Sequence, residues 1–207
     1  MGRNLLLAMA MILLGAVPSK ANGLVPLALQ MPDSNVATEA PAGFVSFCIR
    51  FPNQCASDGP TRIALTPGEW VQLQDINDDV NRELVPQDDL SHYGIAEFWT
   101  IASDGRGDCD EYALLKRKKL IDAGYPIRAL RLAVVKTPDG ERHAVLTVAT
   151  DHGDYVLDNL AQQVRAWTAT GYRWIERQDP NMAWGWERLP PAPVMAGPVA
   201  ATGEHPM

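Results

Sequence analysis

The sequence predicts a single α+β domain in which N-terminal helices pack on an antiparallel sheet. Three observations carry that expectation. Two stretches, 66–84 and 108–124, hold apolar residues at helical spacing between capping signals. Three later stretches, 127–135, 143–149 and 154–157, read as strands separated by turn tetrapeptides, which makes them an antiparallel meander. The 207 residues, 46% hydrophobic and 21% charged, suffice for one core, and no internal repeat divides them.

The chain opens with Arg3, an apolar run from Leu5 to Val17 too short to span a bilayer, and the small-x-small pattern Ser19-Lys20-Ala21. Residues 1–21 are therefore expected to be a secretory signal peptide, the alternative being an uncleaved anchor. No cysteine follows the run to take a lipid. Cleavage would leave 16 basic against 25 acidic residues, a balance that argues against nucleic acid or an anionic membrane surface as partner. No stable membrane insertion is expected after cleavage.

Residues 22–43, rich in Pro, Ala and small polar side chains without a sustained period, read as a flexible lead-in to a domain over 44–189. Between Phe44 and Cys55, Pro52 and Asn53 turn the chain so that Cys48 and Cys55 can meet as a disulfide in an exported protein. With no histidine or further cysteine nearby, the pair makes a poor zinc site. Thr66-Pro67-Gly68-Glu69 is a complete helix opening. Trp70, Leu73, Ile76 or Asn77, Val80 and Leu84 form the buried stripe of this scaffold helix, and Pro86 ends it. Residues 87–101 read as a loop and a short helical or irregular piece. Its Tyr93, Phe98 and Trp99 either line a cleft or fill the core, and His92 reads as a solvated loop histidine.

A flexible loop with Gly105 and Gly107 leads into the second helix. Asp108 is its N-cap, Glu111 completes a capping box, Lys116 to Lys119 occupy later turns, and Gly124 with Pro126 stops it. Cys109 thus sits in the first turn, where unpaired N–H groups and the helix dipole favour a thiolate. Asp104, Asp108, Asp110 and Glu111 oppose it. Either these acids are engaged in capping, or a cation such as calcium sits among them.

Cys109 is also the odd cysteine once Cys48 and Cys55 pair, and a free thiol in an oxidising compartment points to catalysis. In the strands, Thr137-Pro138-Asp139-Gly140 and Thr150-Asp151-His152-Gly153 are the turns. If Thr150 faces Gly153, Asp158 falls opposite Val145 and diagonal to His143 on the same face, so a carboxylate reaches an imidazole. With Cys109 on a helix packed against that face, a Cys109, His143, Asp158 triad results. The backbone N–H of Cys109 is the first oxyanion donor and Tyr93 or Trp99 a candidate second. Against this stand a buried, inert cysteine and a structural histidine, with His152 as rival base. Residues 164–167, 172–177 and 184–189 are further strands or sheet-flanking pieces, and 190–207 a disordered tail.

G-D-C-D-E-Y, with H-A-V-L-T-V and D-Y-V-L-D-N-L downstream, resembles the bacterial transglutaminase-like cysteine peptidases. F-C-x-x-x-P-x-x-C, L-T-P-x-x-W and H-Y-G-x-x-E-F-W extend the resemblance over 44–189. It implies a papain-like or transglutaminase-like fold, the Cys109, His143, Asp158 triad, and calcium held by Asp108 and Asp110. Family members include periplasmic proteases that clip large surface adhesins near an Ala-Ala pair, some of them held by an inhibitory inner-membrane receptor. This chain departs from their usual Gly-Asp-Cys-Glu-Asp by carrying Asp110-Glu111 after the cysteine. The expected function is a periplasmic cysteine endopeptidase acting on a protein substrate such as an adhesin. The alternatives are a protein cross-linking acyl transferase and a calcium-binding module without catalysis.

Overall fold

The computed structural model describes residues 28–191, so the expected signal segment 1–21 and residues 192–207 of the expected tail lie outside it. In chain order, β1 (Ala37–Thr38) precedes α1 (Ala42–Arg50), α2 (Pro67–Glu83), β2 (Val85–Pro86), α3 (Asp89–Tyr93), β3 (Arg106–Gly107) and α4 (Cys109–Asp122). Six strands follow: β4 (Leu130–Lys136), β5 (Arg142–Thr150), β6 (Gly153–Leu157), β7 (Arg165–Ala166), β8 (Arg173–Gln178) and β9 (Trp186–Arg188). Seven strands form one sheet in the order β1-β9-β8-β4-β5-β6-β7, every pairing antiparallel. Six of the seven sheet strands follow the helices in sequence and α4 packs on β5 and β4, the α+β arrangement expected.

Both edges of the sheet are two-residue strands, too short to template pairing with another chain. Alternation divides the sheet residues between two buried faces. Leu130, Leu132, Val134, Ala144, Leu146, Val148, Tyr155 and Leu157 meet the helices through Phe44, Phe47, Leu73, Ala113, Leu114 and Leu120. Ala133, Val135, Val145 and Val156 join Met31, Trp167, Tyr172, Trp174 and Leu189 on the other face. The expectation of one helix-covered face is thus incomplete, because the chain before α1 and the segments around β7–β9 cover the second.

That cover corrects the flexible lead-in expected over 22–43. From residue 28 onward it is part of the fold: Met31 N donates to buried Asp154 at 2.9 Å, Ser34 N to Glu187 at 2.8 Å, and β1 pairs with β9. Composition could not reveal this, since the partners lie more than a hundred residues away.

Local signals set the helices. Phe44, Phe47 and Cys48 form the buried stripe of α1. Gly43 lets that helix meet the core closely, for a Cβ there would come within 2.4 Å of the Trp99 ring. After Pro52 a 3-10 turn brings Cys55 back to Cys48, and the two form a disulfide with Cα atoms 5.6 Å apart. Thr66 and Glu69 make the expected capping box on α2, which buries Leu73, Asn77 and Val80. Around α4, Tyr112 through Arg117 are all buried, because the sheet lies on one side and α2 on another. The single apolar stripe expected for α4 is therefore replaced by an enclosed helix. Residues 127–129, expected to begin a strand, form a 3-10 turn ahead of β4.

Candidate active site

The glycine loop before α4 is fastened to the end of α2. Val85 N donates to Gly105 O at 2.9 Å and Gln87 N to Gly107 O at 3.0 Å, forming the short parallel β2–β3 ladder. The chain therefore enters α4 on a fixed path. Asp108 is the N-cap, and its capping box with Glu111 is complete. Glu111 Oε2 accepts from Asp108 N at 2.9 Å and Oε1 from Thr100 N at 3.2 Å. Cys109 is the first residue of the helix, where the backbone N–H has no intrahelical acceptor.

The Cys109 sulfur accepts from Ala144 N of β5 at 3.4 Å. Beside that contact, His143 is buried and its Nε2 lies 2.8 Å from Asp158 Oδ1, which leaves Nδ1 as the ring nitrogen available to the thiol. Cys109, His143, Ala144 and Trp99 line one cleft of about 140 Å³ together with Glu97, Asp108, Asp110, Val134 and Arg142. The hairpin has the register on which the pairing depends, Thr150 opposite Gly153 and Leu146 opposite Leu157. One detail differs. By alternation His143 belongs with Val145 on the face turned away from α4, so Cys109 and His143 line the cleft at the end of β5 rather than facing one another across a single face.

Asp158 accepts four contacts. Besides His143, Oδ1 takes Leu160 N at 2.9 Å; Oδ2 takes Tyr172 OH at 2.5 Å and has Arg165 Nη2 at 3.8 Å. Its backbone is held by α2: Asp158 N donates to Asn77 Oδ1 at 2.8 Å, and Asn81 Nδ2 to Asp158 O at 3.0 Å. Burial pushes the carboxyl up, but the bonds from His143 and Tyr172 outweigh it and hold it below its ordinary range. Sequence reasoning missed Tyr172, Asn77 and Asn81 as parts of this site. The nearest signal was an asparagine in the otherwise apolar stripe of α2, a polar residue that must find partners when buried.

The rival histidines are elsewhere. His152 lies beyond the far end of β5, about 23 Å of extended strand from His143. His92, expected to be solvated, is bonded through Nε2 to Asp104 at 2.8 Å and stacked on Tyr93 at 3.9 Å. Of the three aromatics expected at a cleft, Trp99 lines it, with its indole N–H 3.4 Å from Glu97 Oε2, whereas Tyr93 and Phe98 pack on one another outside it.

Acids crowd the start of α4. Burial first, then Asp110 and Asp108, raise the Cys109 thiol well above its ordinary value despite the Ala144 N–H. Burial and the neighbouring carboxylates likewise raise Asp110, push Glu111 to about 8 and Asp89 to about 6. Asp108, Cys109 and Asp110 form one group with ligand atoms close enough for a metal ion, and Asp89, Asp108 and Glu111 another. Asp110 Oδ2 and Asp89 Oδ1 are buried without a hydrogen-bond partner among the described residues. Hard oxygen donors left unsatisfied, in a region of excess negative charge, fit a cation.

Among solved structures, calcium-bound Legionella pneumophila LapG is 17% identical over 64% of this chain and 84% of its own, with a TM-score of 0.47. EGTA-treated Legionella pneumophila LapG is 22% identical over 53% of this chain and 62% of its own, with a TM-score of 0.45. Comparison with curated proteins gives no match. The family described as bacterial transglutaminase-like cysteine proteinase BTLCP matches residues 34–192, nearly the whole described region. By that match, the chain belongs to the bacterial transglutaminase-like cysteine proteinases.

Proposed function

We propose that this protein is an exported, periplasmic cysteine endopeptidase that uses Cys109, His143 and Asp158 to cleave a surface or periplasmic protein, a large biofilm adhesin being the expected class. The observation that carries the reading is the helix-first sulfur 3.4 Å from Ala144 N, sharing a cleft with an imidazole whose far nitrogen is bonded to Asp158 at 2.8 Å. His143 Nδ1 takes the thiol proton and the sulfur attacks the scissile carbonyl carbon. The developing oxyanion meets the Cys109 N–H and the positive end of α4, and the Trp99 indole on the cleft wall would add a second donor on leaving Glu97. His143 returns the proton to the leaving amine, and water then hydrolyses the thioester by the reverse proton path. Asp158 fixes the ring tautomer and supports the imidazolium.

The raised Cys109 thiol works against this chemistry; burial is the first cause, and Asp110, the foremost of the acids that add to it, also has a carboxylate oxygen without a partner among the described residues. We assign calcium to Asp108 and Asp110, with Asp89 and Glu111 beside them. Bound there, it would offset the negative charge that disfavours the thiolate.

Purified mature protein with calcium is expected to cleave a candidate exported adhesin. Cys109→Ser and His143→Ala should each lower the rate at least about a thousandfold. Chelation should slow both cleavage and alkylation of Cys109, and added calcium should raise the melting temperature. Undiminished cleavage by Cys109→Ser would end the assignment. Incorporation of a labelled primary amine in place of hydrolysis would turn the reading to cross-linking.

A further inference from the structure

A carboxylate that supports a catalytic imidazole must be fixed in plane as well as in position, since rotation about its Cβ–Cγ bond carries the acceptor oxygen away. Asp158 Oδ1 has two donors, His143 Nε2 at 2.8 Å and Leu160 N at 2.9 Å. The second oxygen has one close partner, Tyr172 OH at 2.5 Å. Arg165 is the competitor, but at 3.8 Å it lies beyond hydrogen-bond reach, and its side chain is 37% exposed. The Tyr172 ring also stands edge-on to His143, centroids 5.7 Å apart and planes at 70°, so one side chain touches both members of the pair.

The chain builds this placement deliberately. Gly171, at φ 74°, turns the backbone between the 3-10 turn at Trp167–Ala169 and β8. Thr170 Oγ1 then accepts from Tyr172 N at 3.3 Å while donating to Trp167 O at 2.9 Å. Burial, then the bond to Asp158, raises the phenol above its ordinary range, so it stays a donor at neutral pH.

We propose that Tyr172 is a positioning residue of this site, its hydroxyl locking the Asp158 carboxylate so that Oδ1 faces the imidazole and its ring limiting the swing of His143. The inference rests on the catalytic reading given above. It adds a fourth side chain to the triad, one that touches no substrate.

The test uses iodoacetamide alkylation of Cys109 at pH 7 with calcium present, together with ¹⁵N spectra of the histidine rings, His143 being assigned through His143→Ala. Tyr172→Phe keeps the ring and removes the hydroxyl. It is expected to slow alkylation about tenfold, the worth of one buried hydrogen bond to a charged group. The neutral His143 ring should pass from a fixed Nε2–H form to averaged tautomers, a change that lost stability alone would not produce. Tyr172→Leu, which removes the ring as well, should fall further. Wild-type rates and an unchanged ring signature in Tyr172→Phe would overturn the proposal. Without any variant, the wild-type hydroxyl proton should exchange slowly and couple through space to the His143 ring, and its absence would count equally against it. A separate outcome tests the underlying reading: wild-type Cys109 reacting like free cysteine, with His143→Ala at the same rate, removes the site altogether.

Discussion

Lys116 shows how far α4 departs from an ordinary surface helix. Its side chain is fully buried, its ammonium has no hydrogen-bond acceptor among the described residues, and its nearest ring is Tyr112 at 5.8 Å. Burial lowers it from 10.5 to about 7, with Asp158 pulling the other way. A lysine depressed in the folded state weakens the fold fully below about pH 7, and the penalty fades as pH rises towards 10.5, where the unfolded chain also loses its proton. Lys116→Met is therefore expected to stabilise by about 2 kcal/mol at pH 7 and much less at pH 10, measured by urea unfolding at both. The sequence placed Lys116 in the later turns of the helix and carried no local signal that the lysine would be enclosed. Other single residues were legible: the capping roles of Asp108 and Glu111 need only a neighbour three positions away, and both stand as expected.

Elements were legible where their signals are local. Both long helices begin where their capping boxes predict, and the β5–β6 register follows from a turn of four residues. What α2 does was not legible, because a periodic stripe says which face is buried and nothing of what it meets. Asn77, fully buried, ties Asp158 N at 2.8 Å, Ala161 O at 2.9 Å and Gln162 O at 3.1 Å. Asn81 adds bonds to Asp158 O and Ala161 O. The helix is a clamp on the loop after β6 as much as a support for α4. Asn77→Ala leaves a buried N–H at Asp158 unsatisfied and is expected to cost about 3 kcal/mol in chemical denaturation. The same change should slow Cys109 alkylation, since the carboxylate loses its backbone anchor.

At the scale of the molecule, the second face of the sheet was the part composition concealed. Its centre is a buried charge network in which Arg177 meets Glu187 at 2.7 Å, Asp33 at 2.9 Å and Asp154 at 3.4 Å, while Arg62 and Arg131 bind two of the same acids. Arg177 and Asp33 are 144 positions apart, a separation no pattern of period two or 3.6 can express. Removing the central cation takes from buried Glu187 its ion-pair partner and leaves Asp154 to Arg62, so Arg177→Met is expected to destabilise by about 4 kcal/mol. It should also loosen residues 31–38, which hydrogen exchange would report as lost protection. The antiparallel β1–β9 pairing, Ala37 against Glu187, has a further consequence. Residues 28–38 run as a strap across the second face, from the β5–β6 turn, where Ala28 N donates to His152 O at 2.9 Å, to the border beside β9. A protein shortened to begin at residue 39 should uncover the apolar cluster that Met31 caps and bind a fluorescent apolar probe that the intact protein does not.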